Sequence, residues 1–150
     1  MGDAAGVIVI APPPAMRRMA GGEPITVTAT ATPEEIMDAR RRIAELYMDE
    51  RIVDYIVEIV HATRAPKEAG LEALVPLIEF GASPRATIAL AQAARAHAFL
   101  RGRGYVTPDD VKAIAPDVLR HRVLTTYEAE AEEVTSDDVV ARVLASVENP

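Results

Sequence analysis

Cysteine and tryptophan are missing from this chain of 150 residues, and lysine occurs only twice, at Lys67 and Lys112. Each shortage removes a class of answer. Without thiols there is neither a disulfide framework nor a thiolate metal site, and a reducing compartment is permitted. Two phenylalanines and four tyrosines are too few for an aromatic core. The interior therefore has to be made of Ile, Val, Leu and Ala, whose shapes suit close helix packing. The scarcity of lysine also excludes a phosphate-binding P-loop, which needs Gly-Lys followed by Ser or Thr. Here Lys67 follows Pro66 and Lys112 follows Val111. Long apolar runs are missing too. Val7 to Ala11 is far too short to span a bilayer, and no basic stretch precedes it as a secretory signal requires. Neither a membrane partner nor export is expected, and the expected location is the cytoplasm.

With 49% hydrophobic and 26% charged residues, the chain is long enough for one domain with a real core. A formal net charge of −7 argues against nucleic acid as a partner, because affinity for a phosphate backbone comes from clustered Lys and Arg. Residues 1–24 read as a flexible arm or linker: Pro12-Pro13-Pro14 lack amide donors, and Gly21-Gly22 loosen the junction. Residues 25–150 read as a helical domain. From Ile25 to Ala31, apolar residues alternate with threonines at period two, which predicts a half-buried strand. Its partner is expected at Arg122 to Tyr127, giving a small two-stranded antiparallel ribbon.

Five helices are predicted. Thr32-Pro33-Glu34-Glu35 forms a capping box opening the first, whose apolar stripe is Ile36, Ala39, Ile43 and Leu46. Arg40 to Arg42 on this helix is either an anion patch or a solvated face. Asp49 caps the second helix, through Arg64, with Ile52, Val53, Ile56, Val57, Ile59 and Val60 in a wide buried arc and Tyr55 and His61 at its margins. A long connection, Ala65 to Phe80, carries enough leucine to fold back on the core and hold Gly81. The third helix stacks Thr87, Leu90, Ala91, Ala94 and Ala98 on one side, and His97 is expected at its edge, with no metal to bind because no second ligand lies three or four residues away. Thr107-Pro108-Asp109-Asp110 opens the fourth, which Pro116 should interrupt. Thr135-Ser136-Asp137-Asp138 opens the fifth. The paired aspartates at both starts read as caps that answer the helix dipole.

One charge stands on the wrong side of that rule. Ser83 is the expected N-cap of the third helix, Pro84 fits its first turn, and Arg85 follows. A cation there opposes the macrodipole by roughly 0.3–1 kcal/mol, whereas a bound anion would reverse the sign. Two readings stay open for Arg85: a phosphate contact, or a surface arginine reaching back to a carboxylate. No catalytic residues are found. There is no Gly-x-Ser-x-Gly elbow, no His-Glu-x-x-His helix and no apolar run ending in the paired acids of a Walker B strand.

Several segments in order carry a resemblance. Val57 to Arg64 (Val-Glu-Ile-Val-His-Ala-Thr-Arg), Gly81-Ala82-Ser83-Pro84-Arg85-Ala86, Arg101-Gly102-Arg103-Gly104-Tyr105-Val106-Thr107-Pro108-Asp109-Asp110-Val111-Lys112 and Ala115 to Arg122 together resemble the C-terminal lid of MoxR-type AAA+ ATPases. The similarity runs from about Met16 to the C-terminus. The resemblance implies a mainly α helical bundle of the AAA+ lid type, closing over ATP and Mg2+ held by a separate core. It implies that Arg85, in a turn with Ser83 and Pro84, is the sensor-2 arginine reaching the γ-phosphate. The implied partners are the AAA+ core of the same polypeptide, neighbouring subunits of a ring, and an unidentified client of a chaperone-like ATPase. The P-loop, Walker B, sensor 1 and arginine finger of the family are absent from this sequence. This chain alone is therefore not expected to be an enzyme or to bind nucleotide tightly. The alternative is a free-standing helical adaptor, docking a partner protein by the acidic face of its last helix or by Arg40 to Arg42.

Overall fold

The computed structural model describes residues 28–150. The expected arm over residues 1–24 and the start of the expected strand, Ile25 to Val27, lie outside the described residues. The chain divides into two compact units, Met1–Arg42 and Ile43–Pro150.

In the first unit, Thr28 to Ala31 is exposed and forms no strand. Helix α1 (Pro33–Glu45) starts at the predicted capping box: the Thr32 N–H donates to Glu35 Oε2 at 2.7 Å, and the Glu35 N–H donates to Thr32 Oγ1 at 3.2 Å. No residue of α1 is fully buried. Arg41 and Arg42 both pair with Asp38, at 3.2 and 2.9 Å, on the open surface. Such exposed pairs contribute little, and they leave these two arginines as part of a solvated face.

The second unit holds the core. Asp49 caps α2 (Glu50–Arg64), its Oδ1 accepting the Arg51 N–H at 3.0 Å. Ile52, Tyr55, Ile56, Ile59 and Thr63 repeat at spacings of three and four and are buried. With Val60 and Ala62, also buried, the arc is rotated from the predicted one. It takes in Tyr55, 2% exposed, and turns Val53 and Val57 to the far side, 44% and 47% exposed.

After α2 a 3-10 helix (Glu72–Leu77) buries Leu74 and Leu77. Strand β1 (Ile78–Phe80) then pairs antiparallel with β2 (Leu124–Thr125), Ile78 opposite Thr125 and Phe80 opposite Leu124. The ribbon is thus real, but its first strand is Ile78–Phe80, and Thr28 to Ala31, the described part of the expected strand, takes no part in it. A two-stranded ribbon needs a packed support. Leu74 and Leu77 anchor β1 to the core, whereas Thr28 to Ala31 buries nothing.

Helix α3 (Arg85–Leu100) buries Ala86, Leu90, Ala94 and Ala98, one on each turn. Three alanines in that row permit a close approach to α4 (Pro108–Leu119), its main neighbour. Helix α4 runs through Pro116 without the predicted break. Ala115 and Leu119 are fully buried on either side, so tertiary packing holds a turn that has lost one amide donor. A short α5 (Tyr127–Ala131), not among the predicted helices, follows β2, its N-cap Thr126 accepting the Ala129 N–H. The last helix, α6 (Ser136–Ser146), begins at the predicted Thr135–Asp138 capping box and buries Val139, Val140 and Val143. Among the described residues there are six α-helices against the five predicted, and no helix long and apolar enough to cross a membrane.

Two substitutions test this packing. Leu90→Ala should cost about 2–5 kcal/mol in urea unfolding, because Leu90 is fully enclosed, while Leu100→Ala, at 81% exposure, should stay within about 0.5 kcal/mol. Tyr55 carries a buried hydroxyl with no hydrogen-bond partner among the described residues. Burial, and then the nearby Asp109 charge, push its ionisation up. Tyr55→Phe should accordingly leave stability unchanged or raise it by about 1 kcal/mol.

Candidate phosphate-contact site

The turn that opens α3 is built against the last residues of α2. Gly81 lies so close to that helix that a Cβ would meet the Thr63 carbonyl oxygen at 2.2 Å and the Arg64 Cα at 2.7 Å. Only glycine fits there, for reasons of space and not of backbone angle. The next residue, Ala82, is fully buried. Its N–H donates to Thr63 Oγ1 at 3.0 Å, and its carbonyl accepts from Arg64 Nη1 at 3.2 Å. The Thr63 hydroxyl in turn donates to the Val60 carbonyl at 2.7 Å, so the buried group is satisfied on both sides.

Ser83, Pro84 and Arg85 then stand exposed between buried Ala82 and buried Ala86. The helix proper starts at Arg85, with Pro84 as its N-cap at φ −55° and ψ −24°. The predicted cap at Ser83 is therefore shifted by one residue, and no side chain caps this end. Pro84 already has helical angles, so Ser83 serves through its carbonyl, which accepts the Ala86 N–H at 2.8 Å. Arg85 occupies the first turn of a 16-residue helix with no acidic residue in that turn. Among the described residues, no hydrogen bond or ion pair reaches its guanidinium. The carboxylate partner required by the alternative reading of Arg85 is not among them.

At the other end of α3 sits a second polar centre. Asp110, fully buried at the start of α4, receives Arg103 through both oxygens, at 2.7 and 2.5 Å. It also receives the Thr107 N–H and hydroxyl, each at 2.8 Å, and contacts His97 Nδ1 at 2.7 Å. Asp110 is thus more than the predicted cap, and His97 more than a helix-edge residue. Burial by itself pushes the carboxyl up, but the hydrogen bonds from Arg103, then His97 and Thr107, outweigh it and hold the group well below the usual carboxylate range. Among the described residues, no cluster of three or more His, Cys, Asp or Glu could hold a metal ion. An open cleft of about 480 Å³, lined by Tyr47, Asp49, Arg51 and Tyr105 among others, lies at the opposite end of α2 from the Arg85 turn.

Sequence reasoning placed Arg85, Ser83 and Pro84 together, and the fold keeps them together. It missed the Thr63 and Arg64 contacts. The legible signal was a threonine continuing the buried stripe of α2, where a hydroxyl must find a partner. The union of His97, Arg103 and Asp110 left no periodic trace.

This arrangement matches known proteins over most of its length. Residues 73–143 match the AAA lid domain, so the fold class is that of the lid of AAA-type proteins. The chain is 45% identical over 107 residues to Chaperone MoxR1 of Mycobacterium tuberculosis, covering 71% of this chain and 28% of that protein. It is 34% identical over 125 residues to the uncharacterized protein YeaC of Bacillus subtilis, covering 83% and 36%. Against Protein MoxR of Methylorubrum extorquens it is 36% identical over 89 residues, covering 55% and 26%. A crystal structure of a candidate ATPase from Cytophaga hutchinsonii superposes with a TM-score of 0.83 at 38% identity, over 90% of this chain and 41% of that one. Residues 73–143 of this chain are therefore of the AAA lid type, and the chain is similar to MoxR proteins. The chain spans about a third of the length of these curated relatives.

Asp110 supplies the test of this geometry. Asp110→Ala should destabilise the fold by about 3 kcal/mol, the lower part of the range for a broken buried pair, because Arg103 and His97 keep partial access to water. Asp110 has a depressed folded value against about 3.9 when unfolded. Its contribution is therefore complete above about pH 5 and is lost as pH falls below about 4. Urea unfolding between pH 2.5 and 7 should show a flatter acid limb in the variant than in the parent chain.

Proposed function

We propose that this chain is the lid module of a MoxR-type AAA+ ATPase, that it closes over ATP held by a separate core, and that Arg85 is its sensor-2 contact to the γ-phosphate. Residues 25–150 form the module in this reading, with Ile43–Pro150 as its compact unit. The observation that carries it is the exposed guanidinium of Arg85 in the first turn of α3, with no carboxylate partner among the described residues. An anion at this point meets the positive end of the helix and a guanidinium together, which turns an unfavourable placement into a favourable one.

The residues present fit a terminal phosphate. Arg85 offers a planar donor fork, and Ser83 and Pro84 are the exposed residues beside it. A bound nucleotide with Mg2+ supplies the phosphoryl group, and its other ligands belong to the core. The side chains of this module orient and neutralise; they do not attack. The parent protein, in this reading, is a chaperone-like ATPase that acts in a ring on a client protein, with neighbouring subunits completing the catalytic site.

The test joins this chain to a MoxR-type ATPase core and compares Arg85→Ala and Arg85→Lys with the parent sequence. Arg85→Ala should lower ATP turnover by about 10²-fold, the effect of removing one aligned donor from a developing charge. Arg85→Lys should recover only part of it, because lysine lacks the bidentate fork. Turnover unchanged in Arg85→Ala would exclude the sensor role and leave the adaptor reading in its place.

A further inference from the structure

Arg85 makes no polar contact through its guanidinium among the described residues, so its direction depends on how the preceding turn is held. Both backbone polar groups of Ala82 are held by consecutive residues of α2: the N–H by Thr63 Oγ1 and the carbonyl by Arg64 Nη1. Gly81 adds a steric stop, since its Cα rests against the Thr63 carbonyl with no space for a methyl group. Buried Ala86 fixes the other side of the turn. Between these points Pro84 restricts one backbone angle, and its carbonyl accepts both the Thr87 N–H at 3.1 Å and the Thr87 hydroxyl at 2.7 Å. The Arg85 backbone therefore has little freedom relative to the C-terminal end of α2.

We propose that Thr63, assisted by Arg64, is the positioning residue for Arg85, so that the end of α2 sets where the arginine is aimed. This rests on the reading of Arg85 as a phosphate contact, but its structural half can be tested apart from that reading. Thr63 touches no phosphate. It acts by orienting the turn, and the hydroxyl is the operative group because it accepts from Ala82 and donates to Val60.

The first measurement is NMR on this chain as Thr63→Val and Thr63→Ser. Thr63→Val keeps the volume and removes the hydroxyl. It should speed hydrogen exchange at the Ala82 amide by about tenfold or more. It should also lower the backbone order parameter at Arg85 from about 0.85 toward 0.6. Exchange at Leu90 and Val111 should stay unchanged, and Thr63→Ser should restore both readouts. Wild-type order at Arg85 in a folded Thr63→Val would overturn the proposal. If Thr63→Val fails to fold, Arg64→Met removes only the donor to the Ala82 carbonyl and is read by the same order parameter, with the same criterion.

The second measurement uses the chain joined to an ATPase core. Thr63→Val should lower kcat for ATP with KM little changed, and Thr63→Ser should recover it. If Arg85→Ala lowers turnover and Thr63→Val does not, the positioning role fails while the phosphate reading stands. If Arg85→Ala has no effect, the phosphate reading fails, and the order parameters still decide whether Thr63 holds the turn.

Discussion

Backbone against backbone, at Gly81 and Thr63, is the contact on which the arrangement of this module depends. It sets the entry of α3, which packs on α2 and most extensively on α4. A side chain at position 81 would force the turn away from α2. The two hydrogen bonds at Ala82 would then lose their geometry, since such bonds weaken steeply with distance and angle. Helix α3 follows with Ala86, Leu90, Ala94 and Ala98 in a single row, and small side chains there are useful only if the helix enters at the right place.

Helix α3 is held at both ends, by different chemistry. At its start the anchor is a glycine contact and two hydrogen bonds at the backbone of Ala82, one to the Thr63 hydroxyl and one from the Arg64 guanidinium. At its far end the anchor is charged, with Asp110 joining Arg103, His97 and Thr107 across the loop to α4. Asp110 does double duty, because a carboxylate at a helix start also answers the macrodipole. The same logic recurs at Thr135 and Asp138. Among the described helices, the start of α3 alone lacks an acid in its first turn and carries a cation there. A stable helix tolerates that small penalty when packing dominates, and the tolerance leaves a guanidinium free to meet an anion.

Local signals in this chain were legible where they depended on a few adjacent residues. The capping boxes at Thr32, Thr107 and Thr135 follow from threonine, an acid three residues on, and the dipole they satisfy. Arg85 was legible in the same way, as a charge in conflict with its position. Pairings across distance were not. The alternation from Ile25 to Ala31 resembled a strand, but alternation specifies a face and not a partner, and Ile78 to Phe80 pairs with Leu124 and Thr125 because Leu74 and Leu77 tie it to the core. Pro116 looked like a break because its missing amide is a local property, whereas the burial of Ala115 and Leu119 that carries α4 past it is not.

The sequence by itself determined a helical domain with an aliphatic core, the capped starts of four of its helices, and the residue whose charge marks the candidate site. These are matters of composition and short spacing, where one residue acts on another within a turn. Only the tertiary structure decided which strand completes the ribbon, that Tyr55 is inside and Val53 outside, and that Thr63 and Arg64 grip the turn before Arg85. The physical reason is that burial and hydrogen bonding between distant segments depend on which surfaces exclude water together, and that is a property of the folded chain as a whole.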